Sequence, residues 1–336
     1  ALFRNIWKEP APLAIAELYG SAKRLLSADV ESIRERLREK RIRIMRPTIN
    51  RVLAWAADAP TPDPGGALNR RIWNNNLRLI EHFSRDITRY ERRLVGYLVQ
   101  TPYVLLLSVP GINVVSASGY GSEVGPITNY ITSSHINGRA GLFPSRYQSD
   151  ETDCADGPMV GGRNARLRDA AMEITKNLIL HNDHFQGWAD LREQRGWSKK
   201  AIKVAIANRF NRIAFHMIAG QTLFDHPCQK TRHPVLKKLV GFSLAHGIKP
   251  ETTMSLVAKA ARQLPSDAVE GELSALEDGL ADLRRSEGIP ASVIKAAALL
   301  LPSLVSQVNH DRNNQGVNEQ GAITETPYRV KAETLV

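Results

Sequence analysis

Leu105-Leu106-Leu107-Ser108-Val109-Pro110-Gly111-Ile112-Asn113-Val114 is the stretch on which the reading of this chain turns. An apolar run stops at Pro110-Gly111, and a small-residue helix begins near Val114 and continues to Tyr120. Proline cannot continue the first helix, and Gly111 can adopt positive φ without a Cβ clash. The second helix then starts with backbone N–H groups that lack partners and favour an anion. This is the sequence form of a helix-hairpin-helix, which holds a nucleic-acid backbone without reading bases. An ordinary turn between two helices fits the same six residues, 108–113. If the backbone-gripping reading holds, Gly111→Val is expected to weaken backbone binding and leave sequence preference unchanged.

Working outward, Gly121-Ser122-Glu123-Val124-Gly125-Pro126-Ile127 leads through Tyr130 to Gly141-Leu142-Phe143-Pro144-Ser145-Arg146-Tyr147-Gln148-Ser149. Asn164, Arg166, Leu167 and Arg168 then open another helix. This order resembles the C-terminal transposase domain of the insertion-sequence-110 family, over roughly residues 94–222. The GLxPxxxxS element carries the resemblance, and the PGI turn alone does not. The resemblance implies a DNA transposase or site-specific recombinase whose nucleophile is Ser149. It also implies that Gly111, Ile112, Asn113, Arg146, Arg163, Asn164, Arg166 and Arg168 face DNA. Further implied partners are a guide RNA that pairs with donor and target DNA, and further copies of the chain as a dimer or tetramer.

The chemistry is coherent for serine. A free hydroxyl is a poor nucleophile and needs a base, a metal or a positively polarised site. Guanidinium groups beside it would neutralise the scissile phosphate and the charge developing on it. A loop serine that merely caps a turn is the plain alternative. The family's two glycines after the serine are Asp150 and Glu151 here, followed by Asp153 and Asp156, and these carboxylates oppose phosphate. The lead into the Asn164 helix is also altered, to Gly161-Gly162-Arg163. The family further implies magnesium, held by an N-terminal RuvC-like domain with an acidic DEDD set. No strand with a leading Asp is visible, and residues 1–100 read as helical. That domain is therefore expected to be missing, with efficient cleavage needing it from elsewhere. The first residue is Ala1, so the chain reads as a fragment. No metal site is expected within it: His181, His184, His226, Cys228 and His233 lack a CxxC or HExxH frame.

Composition agrees with a nucleic-acid partner. The 336 residues hold 45 Lys plus Arg against 34 Asp plus Glu, a formal charge of +11. The first hundred residues alone carry 19 basic and 11 acidic side chains. Such a surplus favours nucleic acid or an anionic surface. No apolar run is read as approaching the 18 or more residues of a membrane span, so no membrane partner is expected. Two cysteines are too few for a disulfide framework, and a reduced cytoplasm is expected; the resemblance implies a bacterial one, in association with the nucleoid.

The expected fold is mostly α: an antiparallel coiled-coil hairpin, then a helical domain containing the helix-hairpin-helix, then extra C-terminal helices. Residues 1–26 form an N-terminal segment and 27–100 the hairpin. Its first arm starts at an Asp29 cap, runs through Ile33, Leu37 and Ile42 to Pro47, and resumes at Ile49. The turn is Pro60 to Gly66. The second arm places Trp73, Asn76, Ile80, Phe83, Ile87, Tyr90, Leu94 and Tyr97 on an a/d seam. Two amphipathic helices of a globular bundle would show the same periodicity. Residues 101–222 form the transposase domain and 223–305 a helical extension of no assigned role. Residues 306–336, rich in Asn, Gln, Glu and Thr, read as a disordered tail. His216 reads as a core or interface residue. A non-catalytic or degenerate helical nucleic-acid binder is the alternative function. A protein–protein scaffold would be favoured if binding were absent or indifferent to salt.

Overall fold

A computed structural model describes residues 9–59, 66–145, 147–149, 152–154, 159–226, 233–286 and 289–319. The described residues are mostly helical, and they divide into two units, Ala1–Ile87 and Thr88–Val336.

In the first unit, α1 (Pro10–Tyr19), α2 (Ala22–Leu26), α3 (Val30–Glu39) and α4 (Arg46–Ala57) close around a small core of Ile15, Tyr19, Leu25, Ile33, Leu37, Ile49 and Val52. Asp29 caps α3 as expected, its carboxylate accepting the Ser32 N–H at 2.8 Å. The continuous first arm does not form. α3 ends at Glu39, Arg41 adopts φ 60°, and the Ile42 N–H closes back on the Leu37 carbonyl at 2.9 Å. Pro47 then starts α4, which packs on α2 and α3. Burying Ile33 and Leu37 against Ile49 and Val52 needs this reversal, which a straight helix cannot supply.

The second arm is one helix, α5 (Gly66–Leu98), continuous across the division between the units. Its periodicity is as read; Trp73, Asn76 and Leu94 are half-buried, while other seam residues stay open among the described residues. Phe83 is 58 %, Ile87 55 %, Tyr90 53 % and Tyr97 70 % exposed.

The second unit has a buried centre. Tyr103–Leu107 lies in a 3-10 helix (Pro102–Ser108), tighter than the α-helix its apolar run implies. Pro102 starts it, and the Ser108 hydroxyl turns back to the Leu105 carbonyl at 2.7 Å. Around it lie α6 (Val114–Val124), α7 (Ser133–Ala140), α8 (Ala165–His181), α9 (Asp183–Gln194) and α10 (Lys199–Ala219). The C-terminal helices are α11 (Val235–Ala245), α12 (Pro250–Ala261), α13 (Val269–Ser286) and α14 (Ala291–Glu319), where the sequence reads as a helical extension. α14 continues helical past Ser306, where polar composition reads as a tail. Within it, Ala291–His310 is long and apolar enough by length and composition to span a membrane, contrary to the reading of shorter runs. Ile294, Ala297, Leu301, Leu304 and Val308 are nonetheless buried, on a face packed against α12 and α13. His216 is exposed, not in the core as its apolar neighbours imply. Short strands, absent from the sequence reading, pair antiparallel: β1 (Tyr147–Ser149) with β2 (Thr152–Cys154).

Candidate functional site

The turn at 109–113 is built from inside. Val109 and Ile112 are buried, and Gly111 has φ +88°. A Cβ there would lie 2.7 Å from the Asn177 carbonyl oxygen of α8, so only glycine allows this approach. Asn113 caps α6: its side chain accepts the Ser116 N–H at 2.9 Å, and the Ser116 hydroxyl accepts the Asn113 N–H at 3.0 Å. This capping box takes one of the orphan donors of the helix. The N–H groups of Val114 and Val115, at the first two helical positions, keep no partner within the helix. Val115 is 38 % exposed. Any anion contact here would therefore be made by main chain at 114–115. The side chains of Ile112 and Asn113 are committed to core and cap.

α6 and α8 run antiparallel. Gly111 meets α8 at Asn177, while Glu123 near the far end of α6 accepts an N–H from Asn164 at 3.0 Å. Asn164 also caps α8, accepting the Leu167 N–H at 3.0 Å. The 13 residues separating Asn164 from Asn177 span about 20 Å at 1.5 Å per residue. The structure thus sorts the expected site residues into two groups at opposite ends of this helix pair.

The second group surrounds the serine loop. Gly141 ends α7 with φ +65°, and the chain leaves as an extended excursion whose base is a bridge between Pro144 and Met159. Arg168 clamps that base. Its Nε donates to the Ala140 carbonyl at 2.9 Å and its Nη2 to the Val160 carbonyl at 3.0 Å. Its guanidinium is thus spent on protein carbonyls, which makes it a positioning residue. Arg163 and Arg166 flank Asn164 and are exposed. Ser149 closes β1, its main chain paired with Thr152. It lies five residues beyond Pro144, hence within about 17 Å of that residue even for a fully extended strand. Arg146, Asp150, Glu151 and Asp156 fall outside the described residues, and Asp153 lies in β2.

Sequence reasoning missed the supports of this loop. Arg139 donates to the Val124 carbonyl and to the Tyr130 hydroxyl, and that hydroxyl donates to Val124 at 2.7 Å. Asn211 joins α10 to both neighbours, accepting from Tyr120 at 3.0 Å and donating to Asn137 at 2.7 Å. The Asn211 partners lie 74 and 91 positions away, and those of Arg139 and Tyr130 are 6 to 15 away at no helical spacing, so no local pattern marks them.

The histidines form no metal centre in view. The His184 and His226 rings lie 3.9 Å apart, and burial, then His226 and Arg209, push the His184 pKa down to about 4. Among the described residues no group of three His, Cys, Asp or Glu is placed to hold a metal, and Cys228 lies outside them.

A helical domain with a glycine-dependent turn, an N-capped helix and an arginine-clamped loop is the class of structure defined here. Residues 103–188 match the family model described as Transposase IS116/IS110/IS902 family, which identifies this segment as a transposase domain of that family. A transposase for insertion sequence element IS1328 from Yersinia enterocolitica is 27 % identical over 155 residues, 44 % of this chain and 46 % of that protein. The chain therefore spans about half the length of this curated relative. No solved structure matches it.

Proposed function

We propose that this chain is the DNA-joining portion of a transposase or site-specific recombinase that acts through Ser149. The match of residues 103–188 to a transposase domain carries this reading, because that segment contains both the turn and the serine loop. In the proposed step the Ser149 oxygen attacks a strand phosphorus, forming a serine phosphoester while one P–O bond of the strand breaks. The departing strand oxygen takes a proton, and one ester replaces another, so the phosphodiester energy is retained for rejoining. Arg163 and Arg166 supply positive charge where the loop returns to α8. Magnesium, which the family resemblance implies, finds no group of three His, Cys, Asp or Glu placed to hold it among the described residues. A guide RNA and a bacterial cytoplasmic, nucleoid-associated setting belong to the same proposal. The test is covalent trapping of DNA by the wild type and by Ser149→Ala. A non-catalytic binder with the same fold would bind DNA and never form the adduct.

The helix-hairpin-helix role of 109–115 has a separate test. Val115→Asp places a carboxylate at the exposed second position of α6, where it favours the helix by about 0.3–1 kcal/mol and repels phosphate. Thermal stability should hold or rise, while duplex affinity by fluorescence anisotropy falls about tenfold at low salt. Unchanged affinity would assign the turn a purely structural role.

The open seam of α5 supports self-association, with a second copy covering Phe83, Ile87, Tyr90 and Tyr97 as in a coiled coil. Ile87 is exposed in the single chain, so Ile87→Asp should alter its stability by no more than about 0.5 kcal/mol. Light scattering should show dimers or tetramers for the wild type and monomers for the variant. An unaltered mass would reject the seam as the interface.

A further inference from the structure

Lys238 lies in α11, outside the matched family segment, yet its ammonium reaches the turn at 109–113. Nζ donates to the carbonyls of Leu107 at 2.6 Å, Val109 at 3.0 Å and Ile112 at 3.2 Å. Three carbonyl oxygens converging on one point form a cation site, since each presents the negative end of a dipole and none can donate. A neutral amine offers only two N–H groups, whereas an ammonium offers one to each oxygen. Beside it, the buried Glu272 carboxylate of α13 accepts the Leu236 N–H at 3.2 Å and favours charge on Lys238. Burial outweighs Glu272 and lowers the Lys238 pKa to about 8, which still leaves it protonated at neutral pH.

We infer that the carbonyls of Leu107, Val109 and Ile112 form a monovalent-cation site that the Lys238 ammonium fills from within the chain. The filled site holds these carbonyls inward, and the following N–H groups of Val114 and Val115 then face outward for a phosphate. Lys238 is thus a positioning residue, and α11 to α13 become a working part of the turn. The link to phosphate binding rests on the proposed role of 109–115; the cation site itself does not.

Lys238→Met should convert a built-in cation into an exchangeable one. Melting temperatures of wild type and variant are compared in chloride salts of potassium and of tetramethylammonium, both at about 150 mM so that screening is equal. The wild type should melt within about 1 °C in the two salts, while the variant should gain about 4 °C or more in potassium, the cation that fits among carbonyls. Duplex affinity of the variant should be about tenfold weaker in tetramethylammonium and recover to within about twofold of wild type in potassium. A variant that melts identically in both salts overturns the inference. Should the variant fail to fold in either, the wild type decides by NMR: a slowly exchanging lysine ammonium signal, absent from Lys238→Arg, supports the site. Lack of such a signal refutes it. Potassium rescue of melting without duplex binding by either protein would leave the cation site standing and remove the nucleic-acid role of the turn.

Discussion

Ser149→Ala is expected to abolish the denaturation-resistant DNA adduct formed when the chain is supplied with a RuvC-like acidic domain in trans. The loss should be on the order of 10⁴-fold or greater, because removing a nucleophile eliminates the covalent route altogether. Duplex affinity should remain within about twofold, since the proposed phosphate contact is made by main chain at 114–115. The clamp predicts which serine matters. Ser145 directly follows the bridged Pro144, whereas Ser149 closes β1 farther out. Ser145→Ala should therefore still form the adduct. If Ser149→Ala forms it as well, the nucleophile assignment is wrong and the domain reverts to a basic helical binder.

Gly111→Val should lower the melting temperature of the second unit by about 10 °C or more. Positive φ for a β-branched residue costs about 1–3 kcal/mol. The new side chain would also displace the Asn177 carbonyl, since even a bare Cβ would lie 2.7 Å from that oxygen. Together these should cost about 3–5 kcal/mol, among the larger single-residue effects. The sequence alone suggests a binding defect in an intact fold, but Gly111 packs on α8 and does not line an open surface. Calorimetry separates the two. Unchanged melting with weakened DNA binding would show that the turn does not pack against α8.

Much of the fold was legible where pattern and structure share a period. The helix α5, the Asp29 and Asn164 caps and the C-terminal helices all follow from apolar spacing and capping residues within a few positions of each other. The break after Glu39 was not legible, since Ile42 continues the helical spacing and only packing of α3 on α4 makes the reversal favourable. The exposure of His216 and the continuation of α14 beyond Ser306 were hidden for the same reason. Periodicity states which residues share a face, and says nothing of what covers it.

The site divides in the same way. Local order identified the Pro110-Gly111 turn and the Asn164 helix start, and the family resemblance singled out the GLxPxxxxS loop, because each depends on residues a few positions apart. Tertiary packing decided which of those groups stay free for another molecule. It spent Arg168 on the Ala140 and Val160 carbonyls, buried Ile112, and brought Lys238 to carbonyls about 130 positions away in the chain. A carbonyl belongs to every residue type, so its partner leaves no mark in the sequence and becomes visible only when the chain has folded.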